Sequence, residues 1–423
     1  MLRINYDVRN LDYAYQKSMN GPGISRVTRN LLLHLSNNAE IDLSLSCAGP
    51  YSVLQGVLNH VRQNTQLANK GIPLTVRDRV GIFFERQGLF FSNIQNGLLK
   101  KALYKFVMAV QAHLNPAPTL SRRLLSRSDI YHATFFPIPD LVRRNRIKKI
   151  ITVYDLIPLI HPEFFSERMK QIFKKNVPLI DPDTFVICIS ESTKNDLLKY
   201  NKNLSTSQIK VIYPGASQNF NACADPDKIR QIKEKYGISE DFRYFLSLAT
   251  LEPRKNLDRL VRCFLRFIEE NGSKDHCLVL VGGEGRDFAR VYEAAKQNPK
   301  LENRVIFTGF IPDEDLPPLV SGALSFFYIS LYEGFGLPVL EAMQCGTPVV
   351  VSNTSSLPEV VGQAGVMVDP TDDDSIVESF SKICENVPLR LDLSKRSLER
   401  ARMFGWGKCA QETVDFYKKI AND

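Results

Sequence analysis

Two adjacent cations in the second half of the chain have the chemistry needed to hold a diphosphate. In LATLEPRKNLDRLV (248–261), a strand pattern runs into a loop that carries Arg254 and Lys255 just before a helical pattern begins. Arginine offers a planar fork of donors and lysine a mobile point charge, so the pair can neutralise the charge that grows on a departing diphosphate. The alternative is a solvated basic pair, although cations are disfavoured at a helix N-terminus.

A second segment, LYEGFGLPVLEAMQCGTPVVVS (331–352), places a glycine loop between a strand and a helix. Gly334 and Gly336 flank Phe335, and such a loop lets the backbone come close to a ligand. The proline after the loop suits the first turn of a helix and predicts one over 338–344, with a glycine cap beyond it. The free N–H groups at the start of that helix favour a phosphate.

Two carboxylates belong to the same segment. Glu333 precedes the glycine loop and Glu341 lies in the predicted helix. Because glycines and a proline separate them, they need not share one helical face, and each can contact a different part of a ligand. The alternative is that Glu341 is a favourable acid near the helix start and Glu333 a solvated loop residue.

Two further glycine-rich loops could cover a phosphate or could be ordinary turns. VGGEGRDF (281–288) contains Gly283 and follows a strand pattern. MNGPGISRV (19–27) contains Gly21 and Gly23 and opens a helix in the first half, where it could cover a phosphate from the opposite wall of a cleft. The sequence has neither a Cys/His metal spacing nor a G-x-S-x-G motif, so no metal site or nucleophile elbow is expected.

The elements that must position these residues alternate along both halves of the chain. Short apolar runs separated by amphipathic segments predict parallel sheets with helices on both faces. The predicted strands are 148–155, 184–190, 209–213, 243–249, 277–282, 304–309, 324–330, 347–352 and 366–369. The predicted helices include 23–36, 191–200 and 256–271. A turn pair after 209–213 predicts a domain boundary at Gly215. The expected fold class is α/β, with two doubly wound domains that face a ligand-binding cleft.

Composition narrows the class of protein. The 423 residues are 44% apolar and 24% charged, which is typical of a globular protein and excludes wholesale disorder. No apolar run approaches the roughly 20 residues that a membrane-spanning helix needs, and the first residues contain no apolar signal segment. The eight dispersed cysteines form no CxxC pair, so a reduced, cytoplasmic protein is expected.

The net charge of +8 is unevenly distributed. Residues 1–215 contain 29 Lys+Arg and 15 Asp+Glu, whereas residues 216–423 contain 25 and 31. The basic half favours a polyanionic partner, with an ordinary solvated face as the alternative. The helical pattern at 98–114 and the basic run at 143–149 favour peripheral contact with an anionic membrane. Nucleic acid is not expected, because no recognition motif accompanies the charge.

Several segments together resemble one family. EPRKN (252–256), the E-x7-E segment EGFGLPVLE (333–341) and GTPVVVSNTSSLPEVVGQAGVMVDP (346–370) look like the nucleotide-sugar domain of family-four retaining glycosyltransferases of the GT-B fold. The resemblance continues through GISRV, YHATFF, VYDLIPLIHPE, ISESTKNDL and VIYPG, and so covers nearly the whole chain. The D-L-I-P-L variant is most similar to bacterial polysaccharide mannosyltransferases.

The resemblance implies a domain organisation. Residues 1–215 would form a Rossmann-like acceptor-binding domain and residues 216–403 a Rossmann-like nucleotide-sugar-binding domain. The segment 404–423 resembles the C-terminal helix that crosses back to the first domain in these enzymes.

It also implies a role for each candidate residue. Arg254 and Lys255 would bind the donor diphosphate and stabilise it as a leaving group, and Glu333 would hold hydroxyls of the donor sugar. Glu341 would accept hydrogen bonds from the ribose. The other implied donor-binding residues are Gly334, Phe335, Gly336, Leu337, Gly283, Gly21 and Gly23.

The first half contributes three residues to the predicted acceptor side. Many relatives have histidine at the position of Tyr154, directly before Asp155, and that histidine is associated with the reacting sugar. Tyr154 departs from this pattern, so the role of its position stays open. His132, in YHATFF, lines the acceptor side in one interpretation and is a structural histidine at a strand end in the other.

The implied function is transfer of a hexose, with retention at the anomeric carbon, to a saccharide or lipid-linked saccharide in cell-surface polysaccharide synthesis. Mannose from GDP-mannose is the first choice of donor, and neither a cofactor nor a metal ion is expected. The alternatives are another GT-B enzyme, a nucleotide-sugar epimerase or a phosphorylase, and a non-catalytic nucleotide-sugar-binding protein.

Overall fold

The computed structural model contains two six-stranded parallel sheets, one in each half of the chain. It describes residues 1–14, 23–49, 51–67, 69–74, 78–79, 82–83, 120–135, 137–283, 285 and 288–422. The strands of the first sheet are β1 Leu2–Asp7, β2 Ile41–Ser46, β3 Ile130–Ala133, β4 Lys148–Val153, β5 Thr184–Cys188 and β6 Ile209–Val211. Those of the second are β7 Arg243–Leu248, β8 His276–Val281, β9 Val305–Gly309, β10 Ser325–Tyr328, β11 Val349–Ser352 and β12 Gly365–Val368.

Helices connect the strands and cover both faces of each sheet, as parallel strands require. Those of the first half are α1 Gly23–Ser36, α2 Tyr51–Gln63, α3 Arg122–Leu125, α4 Asp140–Arg143, α5 Ile157–Ile160, α6 Glu167–Asn176 and α7 Glu191–Tyr200. Those of the second half are α8 Pro226–Lys235, α9 Leu257–Asn271, α10 Phe288–Lys296, α11 Leu316–Ser321, α12 Leu337–Gln344, α13 Leu357–Val361, α14 Asp373–Glu385, α15 Val387–Ala401 and α16 Trp406–Asn422. Across the described part of the chain, no helix is both long enough and apolar enough to span a bilayer.

The strand order of each sheet reverses direction once. The first sheet has the order β2-β1-β3-β4-β5-β6 and the second β12-β11-β10-β7-β8-β9. In doubly wound sheets a ligand binds at the carboxyl ends of the strands where the order reverses. In the second sheet this point lies between β7 and β10, whose loops contain Arg254 and Glu333.

The structure confirms the predicted fold class. All nine predicted strands are present with ends within two residues of the predicted ones, and the helices at 23–36 and 191–200 have the predicted bounds. Strands β1, β2 and β3 were not predicted. The basic helical pattern at 98–114 lies outside the described residues.

An aromatic cluster forms the centre of the second core. Phe327 stacks on Phe380 with ring centroids 4.1 Å apart, and Phe245 meets Phe380 edge-on at 4.8 Å. Helix α9 supplies Phe264 and Phe267 to the same cluster. Offset and edge-on ring pairs add to the energy of apolar burial, so this cluster gives the loops of the second sheet a rigid base.

The last helix returns to the first sheet. Tyr417 of α16 donates its hydroxyl toward His132 of β3 or accepts from it at 2.6 Å, and Phe416 meets Phe185 of β5 edge-on. Where the chain crosses back, a side chain on Gly215 would put a Cβ 2.4 Å from the backbone nitrogen of Trp406. The two sheets are therefore joined by two chain crossings that pack against each other.

Candidate active site

Three charged residues meet at the carboxyl edge of the second sheet. Arg254 and Lys255 lie in a short 3-10 turn after β7, and Glu333 lies in the loop after β10. Arg254 Nη1 is 2.7 Å from Glu333 Oε2, and Lys255 Nζ is 2.6 Å from Glu333 Oε1. Glu333 therefore bridges the two cations through both of its oxygens.

The two loops are locked to each other by backbone contacts. Leu331 N donates to Arg254 O at 2.9 Å, and the Glu333 N–H donates to Ser355 Oγ at 3.0 Å. Asn256 ends the cationic turn in a left-handed conformation, φ 58°, and its side-chain amide donates to the carbonyls of Ile329 and Pro370. Asparagine tolerates this conformation better than most residues, so the turn that presents both cations is held firmly.

Burial sets the electrostatics of the cluster. The Glu333 side chain is 9% exposed, and burial alone would raise its pKa. Arg254 and Lys255 outweigh that effect and hold the pKa of Glu333 at about 2. Burial and the neighbouring Arg254 lower the pKa of Lys255 to about 8, against the opposing effect of Glu333. The cluster carries one net positive charge whenever Lys255 is protonated.

Tyr328, at the end of β10, was missed from the sequence. Its hydroxyl lies 2.5 Å from Lys255 Nζ, which also stands 4.8 Å above the Tyr328 ring centroid. Burial, followed by the charge of Glu333, raises the pKa of Tyr328 well above its usual value. An aromatic residue at a strand end is ordinarily a core residue, so the sequence held no signal for this contact.

The glycine loop packs directly against the first domain. A Cβ on Gly334 would lie 2.5 Å from the carbonyl oxygen of Tyr154 and 3.0 Å from Asp155 Cβ, so only glycine fits there. Gly336 caps α12 with φ 102°. Among the described residues, the backbone N–H groups of 334–337 have no acceptor, so they can receive an anion at this helix start.

Phe335, between the two glycines of this loop, has a buried side chain. The Phe335 side chain is 3% exposed, with its ring 6.0 Å from Tyr213 and 5.9 Å from Phe404. It packs between the two domains, so only its backbone can take part in donor binding. Leu337 is half-buried and packs against the core.

Glu341 has a partner from the opposite domain. It is 2% exposed on α12 and forms an ion pair with Arg26, which lies on α1. Burial raises the pKa of Glu341, and Arg26 opposes that rise. The sequence singled out Glu341 but gave no sign that Arg26 would reach it across 315 residues.

The other glycine candidates differ in their surroundings. A Cβ on Gly283 or Gly23 would meet nothing within 4 Å, whereas one on Gly282 or Gly285 would collide with the backbone of 249–251. In the loop after β8, packing therefore requires glycine at 282 and 285 and does not require it at 283. Gly21 lies outside the described residues.

The first domain brings Asp155 to the cationic cluster. Burial raises the pKa of Asp155, and Arg254 is the largest of the effects that lower it. Its Oδ1 accepts from the Ile157 N–H at 3.0 Å. Tyr154 is buried beside it, with its hydroxyl 3.0 Å from Thr28 Oγ1 of α1. Asp155 thus faces the cluster, whereas the Tyr154 hydroxyl points into the first domain.

His132 is a structural residue of β3, which is one of the two interpretations that the sequence allows, and the acceptor-side interpretation is wrong. It has no exposed surface, and its ring nitrogens lie 2.6 Å from Tyr417 Oη and 2.7 Å from Thr152 Oγ1. Burial lowers its pKa to about 3, so the ring is neutral near pH 7. It connects α16 to the first sheet.

Replacing His132 should therefore destabilise the protein. His132→Ala leaves two buried hydroxyls unpaired and opens a cavity, which together cost about 2–4 kcal/mol. Tyr417→Phe removes one hydrogen bond without a cavity and should cost about 1 kcal/mol. Urea denaturation followed by circular dichroism measures both, and an unchanged midpoint for His132→Ala would contradict this role.

No metal centre is evident in the part of the chain that the structure describes, where no group of three or more His, Cys, Asp or Glu side chains converges. The candidate site instead consists of two cations, two carboxylates and a helix start, which together suit an anionic ligand with hydroxyl groups.

Solved structures share this architecture along nearly the whole chain. HepE from Anabaena, in complex with UDP and glucose, superposes with a TM-score of 0.65 and 17% identity, covering 99% of this chain and 100% of its own. WaaG, a glycosyltransferase involved in lipopolysaccharide biosynthesis, gives 0.62 and 15%, covering 99% of each chain. At this identity the likeness concerns the fold, and it confirms the predicted GT-B class.

Sequence relatives identify the family. The model of the family described as glycosyl transferases group 1 matches residues 228–400. The O-antigen chain mannosyltransferase B of Escherichia coli is 31% identical over 292 residues, covering 69% of this chain and 74% of the relative. The serotype-specific mannosyltransferase WbdA of Escherichia coli is 27% identical over 277 residues, which cover 64% of this chain and 34% of that longer protein. The chain belongs to the group 1 glycosyltransferases.

Proposed function

We propose that this glycosyltransferase moves mannose, with retention at the anomeric carbon, from GDP-mannose to a saccharide or lipid-linked saccharide in cell-surface polysaccharide synthesis. The observation that carries the proposal is the Arg254–Glu333–Lys255 cluster, which lies beside a free helix start and faces Asp155. The choice of mannose rests on the mannosyltransferases among the sequence relatives.

The cluster can stabilise the charge that forms during transfer. As the glycosidic bond lengthens, the sugar becomes oxocarbenium-like and negative charge grows on the diphosphate. Glu333 holds Arg254 and Lys255 in place at the edge of the cleft, so two positioned cations can stabilise that charge. Glu333 sits between them with its carboxylate ionised, where it can accept hydrogen bonds from sugar hydroxyls and hold the sugar beside its leaving group.

Retention is proposed to occur by attack on the same face of the sugar. Both oxygens of Glu333 are paired with cations, and Asp155 accepts a backbone N–H. Neither Glu333 nor Asp155 is therefore set apart as the nucleophile that a retaining hydrolase uses. The acceptor hydroxyl would lose its proton to a donor phosphate oxygen while its own oxygen bonds to the anomeric carbon.

A direct assay tests the donor and the mechanism. Purified enzyme is screened by thermal shift with GDP, UDP, dTDP and ADP, with and without EDTA, because a nucleotide that binds the folded state raises the melting midpoint. We expect GDP alone to do so, and EDTA to have no effect. Transfer from GDP-mannose to a mannose-terminated acceptor, with an α-linkage by NMR, would support the proposal. A β-linkage would overturn retention, and a shift with UDP alone would overturn the donor.

Donor use should decline at alkaline pH because of Lys255. Its pKa is lowered to about 8 in the empty enzyme, so the ammonium is fully present below pH 7 and is lost as the pH rises through 8. Since kcat/KM reports the free enzyme, kcat/KM for the donor should fall about tenfold per pH unit above 8. Lys255→Arg should remove this decline up to pH 10, although at lower overall activity, and a profile identical to wild type would contradict the assignment.

A basic surface supports contact with an anionic membrane. Exposed cations gather at the amino ends of β3, β4 and β5, where α3 precedes β3 and α6 precedes β5: Arg122, Arg123, Arg127, Arg144, Arg146, Lys174 and Lys175. Within the described structure none of them forms an ion pair. This basic edge lies at the opposite end of the strands from the cleft. A membrane-bound enzyme would therefore keep its cleft open to a soluble donor, and the acceptor saccharide would have to extend from the lipid surface.

Charge reversal tests this surface. Arg122→Glu/Arg123→Glu/Arg144→Glu/Arg146→Glu should lower binding to vesicles of phosphatidylcholine and phosphatidylglycerol at least tenfold, since each cation near an anionic surface contributes about 1 kcal/mol. Reversal of Lys228, Lys274, Lys300 and Lys395, four exposed cations of the second domain, is the matched control and should leave co-sedimentation unchanged. Undiminished binding by the quadruple variant would place the contact elsewhere.

A further inference from the structure

Among the described residues, an ion pair between Arg26 and Glu341 joins the two domains across the cleft. Arg26, in the first turn of α1, donates from Nη2 to Glu341 Oε1 on α12. The Arg26 side chain is 18% exposed and that of Glu341 3%. A pair this deeply buried is costly to break on one side only, because it leaves an uncompensated charge.

A second arginine and a second carboxylate lie close to this ion pair, again one from each domain. Arg29 lies one turn further along α1, where burial and the charge of Arg26 lower its pKa and Asp313 opposes that change. Asp313, in the loop after β9, also acts on Glu341. Two arginines of the first domain thus face two carboxylates of the second, but only Arg26 and Glu341 are in contact among the described ion pairs.

Under the proposed function, Glu341 receives the ribose hydroxyls of the donor. Arg26 Nη2 contacts Oε1 of a carboxylate whose side chain is only 3% exposed, and a carboxylate has few acceptor sites to share. The ribose hydroxyls and the Arg26 guanidinium therefore compete for the small accessible part of Glu341. A ligand can shift this equilibrium only through its different affinity for the two arrangements.

We propose that Arg26 is an affinity-setting competitor at the nucleoside subsite: it holds Glu341 in the empty enzyme and must leave it when the ribose binds. This inference rests on the proposed function, since it requires a nucleotide donor. The free energy of nucleoside binding then includes the gain from the contact between Glu341 and the ribose and the loss of the contact between Glu341 and Arg26. This competition also makes α1 the element of the first domain that responds to an occupied donor site.

The test compares nucleoside binding in variants of the full chain. Guanosine is the probe, because it presents the ribose without phosphates that could attract Arg26, and its dissociation constant is measured by competition with GDP. Arg26→Gln should bind guanosine at least about fivefold more tightly than wild type, the lower range of a typical coupling between ligands. Arg26→Gln/Glu341→Gln should bind it no more tightly than Glu341→Gln, because neither variant has the Glu341 carboxylate for which Arg26 and the ribose compete.

Controls separate the possible failures. Arg29→Gln removes a neighbouring cation on the same helix that does not touch Glu341, and should change guanosine affinity less than twofold. If Arg26→Gln fails to fold, Arg26→Lys, whose shorter point charge cannot reproduce the fork, should still tighten binding. Equal or weaker guanosine binding by the folded variant, with GDP binding intact in wild type, would overturn the competition. Failure of wild type to bind any nucleotide would instead overturn the proposed donor site.

Discussion

Arg254→Ala should lower kcat at least about 10²-fold with GDP-mannose as donor. Its guanidinium is held by two contacts of Nη1, with Glu333 Oε2 at 2.7 Å and with the Tyr332 carbonyl at 3.2 Å. Losing a preoriented cation beside the leaving diphosphate removes about 2.7 kcal/mol or more of transition-state stabilisation, which corresponds to that factor. Initial rates of GDP release, measured at saturating donor, give the effect directly.

Two controls distinguish charge from geometry at this position. Arg254→Lys keeps the charge but loses the fork, and should fall between wild type and Arg254→Ala. Arg266→Ala, which removes an exposed arginine paired with the exposed Glu270 of α9, should keep kcat within about twofold, as surface substitutions usually do. A loss of less than tenfold for Arg254→Ala would show that Lys255 and the start of α12 bear the charge of the leaving group without it.

The second sheet could be predicted from the sequence because its strands are continuous apolar runs. CLVLV and VVVS are buried on both faces, so every position is apolar or small and the pattern is unambiguous. The first three strands of the other sheet lack such runs. β1 (LRINYD) and β2 (IDLSLS) mix polar residues into the core, and β3 (IYHA) contains a buried histidine. Buried Asn5, Asp7 and Ser46 belong to this sheet, and no local pattern indicates that polar side chains at these positions are buried.

The sequence predicted the individual residues of the candidate site but not the contacts between them. The residue types at 254, 255 and 333 indicated anion and sugar binding, but their direct contact depends on β7 lying beside β10, which pairs Phe245 with Ser325. That adjacency is a property of the sheet order. Arg26, Tyr328 and Ser355 contribute through long-range contacts of the same kind, so neither composition nor spacing could indicate them.

Binding of the diphosphate by Arg254 and Lys255 and binding of the sugar by Glu333 depend on each other, because Glu333 contacts both cations. Glu333→Gln tests this dependence. The substitution keeps the shape of the side chain but removes the charge between two buried cations. We expect transfer from GDP-mannose to fall at least about 10²-fold, since the carboxylate that holds the sugar hydroxyls is lost. GDP should bind as tightly as to wild type or more tightly, because both cations are then free to face the diphosphate.

The stability of the Glu333→Gln variant and a control substitution at the neighbouring Glu252 complete this test. The unpaired cations should destabilise the empty variant by roughly 3–5 kcal/mol, so GDP should raise its melting midpoint by more degrees than it raises that of wild type. Glu252→Gln is the matched control, because Glu252 lies 3.8 Å from Arg254 and is 38% exposed, and it should change transfer less than threefold. If Glu333→Gln lost GDP affinity in step with transfer, Glu333 would act by holding Arg254 and Lys255 in place, and its contact with the sugar would not be needed to explain the loss.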